Sequence, residues 1–285
     1  MNVNKVTINS SAYPNILLDI PDAPKELFIL GNLSALLETP RLAVVGSRKV
    51  TPYGRGVTDD LVRTVTRSGV TIVSGLALGV DSIAHKATLD AGGKTIAVLP
   101  CGLDKPYPAS HRQLARRILE QGGALVSEYP SGTPPLPHHF IARNRIVSGL
   151  SDAVLITEAA AKSGTMHTVG FALDQGKSVL AVPGNITSTQ SEGTNNLIKT
   201  GAAPITSAQD IFDVLGVGEQ LQLGEILAAN EQEEAILSLL QKGITDGNQL
   251  QTKSQLDVVT FNQTLTMLEI TGKIRSTGGG HWATK

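Results

Sequence analysis

A mostly parallel α/β sheet with helices on both faces, joined to a small domain of three helices and a β-ribbon, is the fold class this sequence predicts. Two observations carry that prediction. From residue 41 six short apolar runs rich in Val and Ile alternate with stretches of helical spacing, and after residue 228 the pattern changes to three helical stretches followed by two short strand-like runs. The six runs are nearly continuous in apolar residues, which marks strands buried on both faces, as in a parallel sheet covered by helices.

Residues 1–39, with Pro14, Pro21 and Pro24, are too short for a domain and are expected to form a lead-in packed against the sheet. Strands are expected at 42–45, 71–73, 95–99, 124–126, 153–156 and 178–182, and helices at 57–70, 79–91, 110–121 and 165–175. Gly69, Gly92, Gly122 and Gly176 close most of these helices, because glycine tolerates the left-handed cap. The expected organisation is a Rossmann-like domain over 1–218, a linker over 219–228 and a winged helix over 229–285. In the last, helical spacing at 234–240, 245–250 and 258–270 precedes strands at 273–277 and 281–284, with Gly278, Gly279 and Gly280 as the wing tip. Leu265, Leu268 and Ile270 are expected in its core.

The chain has 285 residues, one cysteine, 24 Lys and Arg and 25 Asp and Glu. Cys101 alone excludes an internal disulfide and a cysteine-rich metal site, which fits a reducing compartment. No apolar run approaches the roughly 18–20 residues of a membrane helix, and residues 1–10 lack the features of a secretory signal, so a cytoplasmic, non-membrane protein is expected. The net charge of −1 conceals a division: residues 41–145 carry 14 basic against 7 acidic side chains, and residues 146–230 carry 3 against 8. A polyanion surface needs such an excess, although folding can disperse it over opposite faces.

Glycine-rich turns follow three of the expected strands: Gly46-Ser47-Arg48, Ser74-Gly75 through Asp81, and Ser163-Gly164-Thr165. Each alone needs no more explanation than a tight strand-to-helix turn. Together they lie at the C-terminal edge of the sheet, where open α/β folds place ligands and where helix N-termini offer N–H groups to phosphate. Phe140, Arg143, Asn144 and Arg145 add an aromatic ring, an amide and cations to that edge, so a groove for a phosphodiester strand with Phe140 stacked on a base is expected.

Nucleotide-enzyme motifs fail on their spacing. Only Gly46 of a G-x-G-x-x-G fingerprint follows the first strand, and Gly93-Lys94-Thr95 and Gly176-Lys177-Ser178 lack the preceding glycine of a P-loop and lie between helix and strand. Phosphoribohydrolases of the lysine-decarboxylase-like type carry P-G-G-x-G-T-x-x-E, but Met166-His167-Thr168 follows Thr165 here without the glutamate. Asp81 and His85 stand one helical turn apart, yet a helix-start carboxylate and a packed histidine explain them better than acid–base catalysis. His138 and His139 have no metal-site spacing, and neither a metal nor a cofactor is expected.

These blocks resemble the DNA-processing protein A family (DprA/Smf) over residues 40–285. The resemblance is carried by Val45-Gly46-Ser47-Arg48 with Tyr53-Gly54, Ser74-Gly75-Leu76-Ala77 to Asp81, Ser127-Glu128-Tyr129-Pro130, Phe140 with Arg143-Asn144-Arg145, Ser163-Gly164-Thr165 and Ala181-Val182-Pro183-Gly184. It implies a homodimeric, non-enzymatic protein of bacterial natural transformation. Such a protein binds single-stranded DNA through residues matching Gly46 to Arg48 and Phe140 to Arg145, and helps load a RecA-type recombinase. An enzyme acting on a nucleotide or nucleoside phosphate is the alternative. Two departures stand out: Leu78 replaces an arginine frequent in the family, and Met166 to Gly170 leave its usual pattern. The helical N-terminal domain that members commonly carry is expected to be absent.

Overall fold

A computed structural model of the chain describes residues 3–217, 230–241 and 243–284, and it divides into two compact units, Met1–Gln222 and Leu223–Lys285. The linker expected at 219–228 lies outside the described residues. In chain order the first unit contains β1 (Asn4–Thr7), β2 (Glu26–Gly31), α1 (Leu33–Leu36), β3 (Arg41–Val45), α2 (Pro52–Arg67), β4 (Thr71–Ser74), α3 (Val80–Asp90), β5 (Thr95–Leu99) and α4 (Arg112–Glu120). It continues with β6 (Ala124–Ser127), α5 (Pro137–Gly149), β7 (Ala153–Ile156), α6 (Thr165–Asp174), β8 (Ser178–Ala181), α7 (Glu192–Lys199), β9 (Ala203–Pro204) and α8 (Ala208–Leu215).

The strands form one sheet in the order β1-β2-β6-β5-β4-β3-β7-β8-β9. From β6 to β9 every pairing is parallel, and β1 and β2 close the other edge antiparallel. The lead-in thus joins the sheet: its prolines precede β2, and the run Leu27 to Leu30 supplies the strand. Alternation of side chains assigns each strand residue to one of two layers. Ala43, Val45, Val154 and Ile156 face a core shared with Ile146 and Val147 of α5, Leu150 just after it, and Val169 and Ala172 of α6. Leu42, Val44, Ala153 and Leu155 face the opposite layer, built from Leu61, Val62 and Val65 of α2, Val80 and Ala84 of α3, and Ile211 and Phe212 of α8.

All six expected strands are present, and Gly69, Gly92, Gly122 and Gly176 have positive φ as the cap assignment requires. The first helix starts five residues earlier than its apolar spacing indicates, because Pro52 occupies the first turn and the Thr51 side chain accepts from the Gly54 N–H. The chain runs outward from β3 through β4, β5 and β6, then returns to lay β7 on the other side of β3. That reversal opens a crevice above the C-terminal ends of β3 and β7.

The second unit contains α9 (Glu231–Gln241), α10 (Gly247–Ser254), α11 (Val258–Ile270) and the hairpin β10 (Ile274–Gly278) and β11 (His281–Thr284), a winged-helix arrangement. Ile236, Leu237, Leu250, Phe261, Leu265, Leu268 and Ile274 form its core. Ile270 does not join them: it is 73% exposed at the end of α11, two residues beyond the buried Leu268 and turned to the outer face.

Candidate nucleic-acid interface

A cleft of about 680 Å³ lies over the β3/β7 reversal, lined by the turns after β3, β4 and β7 and by α5. Gly46, Ser47, Arg48, Phe140, Arg143, Asn144, Ser163, Gly164 and Thr165 all reach it, as do Lys49, Tyr107, His167 and Gln190. Ser74 and Arg145 do not line it. Ser74 is buried with its Oγ donating to the Val44 carbonyl at 2.7 Å, a link between strands. Arg145 is buried in the fold, donating to Glu128 at 2.7 Å and to the Asp22 carbonyl at 2.7 Å, so its charge is neutralised away from the crevice. Gly75 lies beside a smaller recess that shares Arg48, Ala77, Tyr107 and Phe140 with the cleft.

Several N–H groups of the glycine turns serve the fold. Ser47 N donates to the Glu158 carbonyl at 2.7 Å, and Gly75 N and Ala77 N donate to the Asp81 carboxylate at 3.0 and 3.4 Å. Thr165 N donates to Ser163 Oγ at 3.2 Å. The glycines of these turns also serve close packing. A Cβ on Gly75 would stand 2.5 Å from Arg143 Nη2, and one on Gly79, at φ +81, would strike the Ser47 carbonyl. Between them Leu76 is fully buried in the left-handed region at φ +59, a costly conformation for a bulky residue.

Arg143 organises this floor. It is 4% exposed and donates through Nη1 to the Gly75 and Val98 carbonyls, joining the ends of β4 and β5. Burial pulls its guanidinium down to about 10, with the Asp81 charge opposing and the Arg48 charge assisting, so it remains a cation at neutral pH. Burial pushes the Asp81 carboxyl above its usual range, and Arg143 and the two loop N–H donors oppose that shift. Glu158, the carboxylate nearest the third turn, accepts from Thr51 N at 3.0 Å and from Thr51 Oγ1. Its two oxygens cap α2.

The accessible chemistry lies at the mouth. Arg48 and Lys49 are exposed, and neither has an ion pair among the described residues. The Arg48 guanidinium stands 5.5 Å from the centre of the Phe140 ring, and Tyr107 meets that ring edge-on at 5.5 Å. Tyr107 has no motif in the sequence; it arrives from the loop after β5, and only its place at the C-terminal edge could have flagged it. The floor is a fixed, buried charge network and the rim combines cations with aromatic faces.

Such a rim, with cations beside aromatic faces, stands where open doubly wound sheets take their ligands. The chain belongs to the DNA recombination-mediator protein A family, which residues 4–216 match, while residues 225–280 match the DprA winged helix domain. Protein Smf of Escherichia coli is 47% identical over 217 residues, 76% of this chain, and the aligned part spans 58% of that protein. The X-ray structure of DNA processing protein A from Streptococcus pneumoniae superposes with a TM-score of 0.70 at 41% identity, covering 74% of each chain. A structure concerned with the single-stranded DNA binding mode of the Helicobacter pylori DNA processing protein A superposes at 0.66 and 36% identity, over 74% of this chain and 95% of that one.

Proposed function

We propose that this protein binds single-stranded DNA in the β3/β7 cleft and acts as a mediator that hands the strand to a RecA-type recombinase. The carrying observation is the pair of Arg48 over Phe140 at the cleft mouth, a cation for the phosphate beside a ring for the base. A paired base presents no free face to such a ring, so single strands are preferred over duplex. The single-strand binding described for the Helicobacter pylori relative supports this reading. A homodimer working in the cytoplasm during natural transformation completes the proposal. Of the contact residues expected from sequence, Arg48, Phe140, Asn144 and Thr165 are proposed to meet the strand, while Gly46, Gly75 and Arg143 shape its bed.

Hydrolysis of a nucleotide is the less favoured reading, because Glu158 is committed to Thr51 and Asp81 to the Gly75 loop. Titration of fluorescent single- and double-stranded oligonucleotides at two salt concentrations separates the two readings. Arg48→Ala is expected to weaken single-strand binding and to reduce the slope of log K against log salt by about 0.7. Phe140→Ala should cost about 1–3 kcal/mol with little change in that slope. Equal affinity for duplex, or a salt-independent affinity, would refute the proposal.

A further inference from the structure

A second recess of about 500 Å³ opens beside the cleft, between the start of α2 and the loop after β8, with Thr51, Tyr53, Pro183, Asn185, Ser188 and Ser191 in its wall. Both recesses sit on the C-terminal edge of the sheet. The hydrogen bond from Ser47 Oγ to Gln190 Oε1, 2.9 Å long, joins two residues that line the cleft, and Thr51 and Ser191, close to them in the chain, line the recess. Tyr53 is 50% exposed, and its hydroxyl donates to the Pro183 carbonyl at 2.7 Å, so a large ring is held in one orientation with much of its surface in solvent. The loop opposite is fixed in turn: Asn195 Oδ1 accepts from Gly184 N and its Nδ2 donates to Gly184 O, each at 3.1 Å.

Among the described residues the wall holds no charged side chain. A free phosphate or another small anion therefore finds no cation there, and the ligand part that fits is neutral, flat and able to bond hydroxyl and amide groups. A nucleobase with its sugar meets that description. Lys49, a cation that lines the first cleft, precedes Thr51 by two residues, on the side from which a connecting phosphate would cross.

From this we infer that Tyr53 and the 183–191 loop form a second nucleotide subsite, continuous with the Arg48/Phe140 cleft and filled by the neighbouring nucleotide of the same strand. The inference rests on the single-strand reading given above, and its test keeps the two apart. Anisotropy titrations of the full chain with oligothymidylates of increasing length would compare the wild type with Tyr53→Ala, Tyr53→Phe and Arg48→Ala, each checked for its melting temperature. The wild type gains affinity at the length that reaches the subsite. Tyr53→Ala loses that step, by about tenfold, and Tyr53→Phe, which keeps the ring, retains most of it. Arg48→Ala weakens every length. If Tyr53→Ala melts normally and binds every length as the wild type does while Arg48→Ala is impaired, the subsite is refuted and the cleft stands. If Arg48→Ala binds normally as well, the underlying reading fails. Photocrosslinking of wild-type protein to an iodouracil-bearing oligonucleotide supplies an answer independent of folding: an adduct on Tyr53 supports the subsite, and adducts confined to Tyr107 and Phe140 refute it.

Discussion

Gly75 and Arg143 depend on each other at atomic distance. A methyl group on Gly75 would meet the guanidinium that ties β4 to β5, so Gly75→Ala is expected to lower folding stability by about 1–3 kcal/mol, read from urea unfolding, and to weaken DNA binding in parallel. His85 makes a prediction in pH. Thr95 Oγ1 donates to the Ile72 carbonyl at 2.7 Å, so it accepts from His85 Nδ1 at 2.8 Å, which leaves Nε2 a buried acceptor with no partner among the described residues. Burial lowers the His85 pKa to about 3, with the His111 and Arg143 charges assisting. The unfolded chain therefore takes up this proton first as pH falls below about 6.5, and the stability held above that value declines by up to about 1.4 kcal/mol per pH unit towards pH 3. In urea melts at pH 7 and pH 5, His85→Gln should show a shallower loss than the wild type. The place of Arg48 and Phe140 at the cleft is legible in the sequence from residue type and from the turns beside them. Arg143 and Arg145 could not be told apart there, since residues two apart stand about 200° around a helix and face different surroundings only once that helix is known.

That helix, α5, is an element the sequence concealed. Its buried residues include His139, Arg143, Arg145, Ile146, Val147 and Ser148, which surround the axis and mix polar with apolar types, so no apolar stripe marks it. The strands were legible for the opposite reason, because runs such as Ile96 to Leu99 are buried on both faces and cannot include charge. On α11 the outer surface presents Val258, Val259, Met267 and Ile270, and its charged residue is Glu269. A helix that reads duplex DNA needs cations for the phosphates beside its base-edge contacts, and this one, although Asn262 and Gln263 are exposed on it, has no lysine or arginine. The winged-helix unit expressed alone, over residues 225–285, is expected to show no saturable duplex binding tighter than about micromolar at low salt.

At the scale of the molecule folding draws five of the fourteen basic side chains of residues 41–145 into ion pairs. Arg41 pairs with Asp152, Arg63 and Arg117 with Asp90, Arg116 with Glu120, and Arg145 with Glu128. The charge that remains at the cleft is Arg48 and Lys49 above Arg143, a small and localised set. Because that set lies in the first unit, a chain ending at residue 217 should keep its single-strand affinity to within about tenfold, a difference of roughly 1.4 kcal/mol on titration. The bed beneath those cations is already locked by backbone bonds to Gly75, Val98 and Glu158 before any ligand arrives. Its consequence is kinetic. A receptor that does not reorganise spends no time waiting to become competent, so capture is governed by collision and the exposed cations, and residence by the stacked ring. In stopped-flow mixing, Arg48→Ala should chiefly slow arrival and Phe140→Ala chiefly hasten departure. The protein would then act as a ratchet for loose strands, quick to seize one and releasing it at a pace set by a single aromatic face.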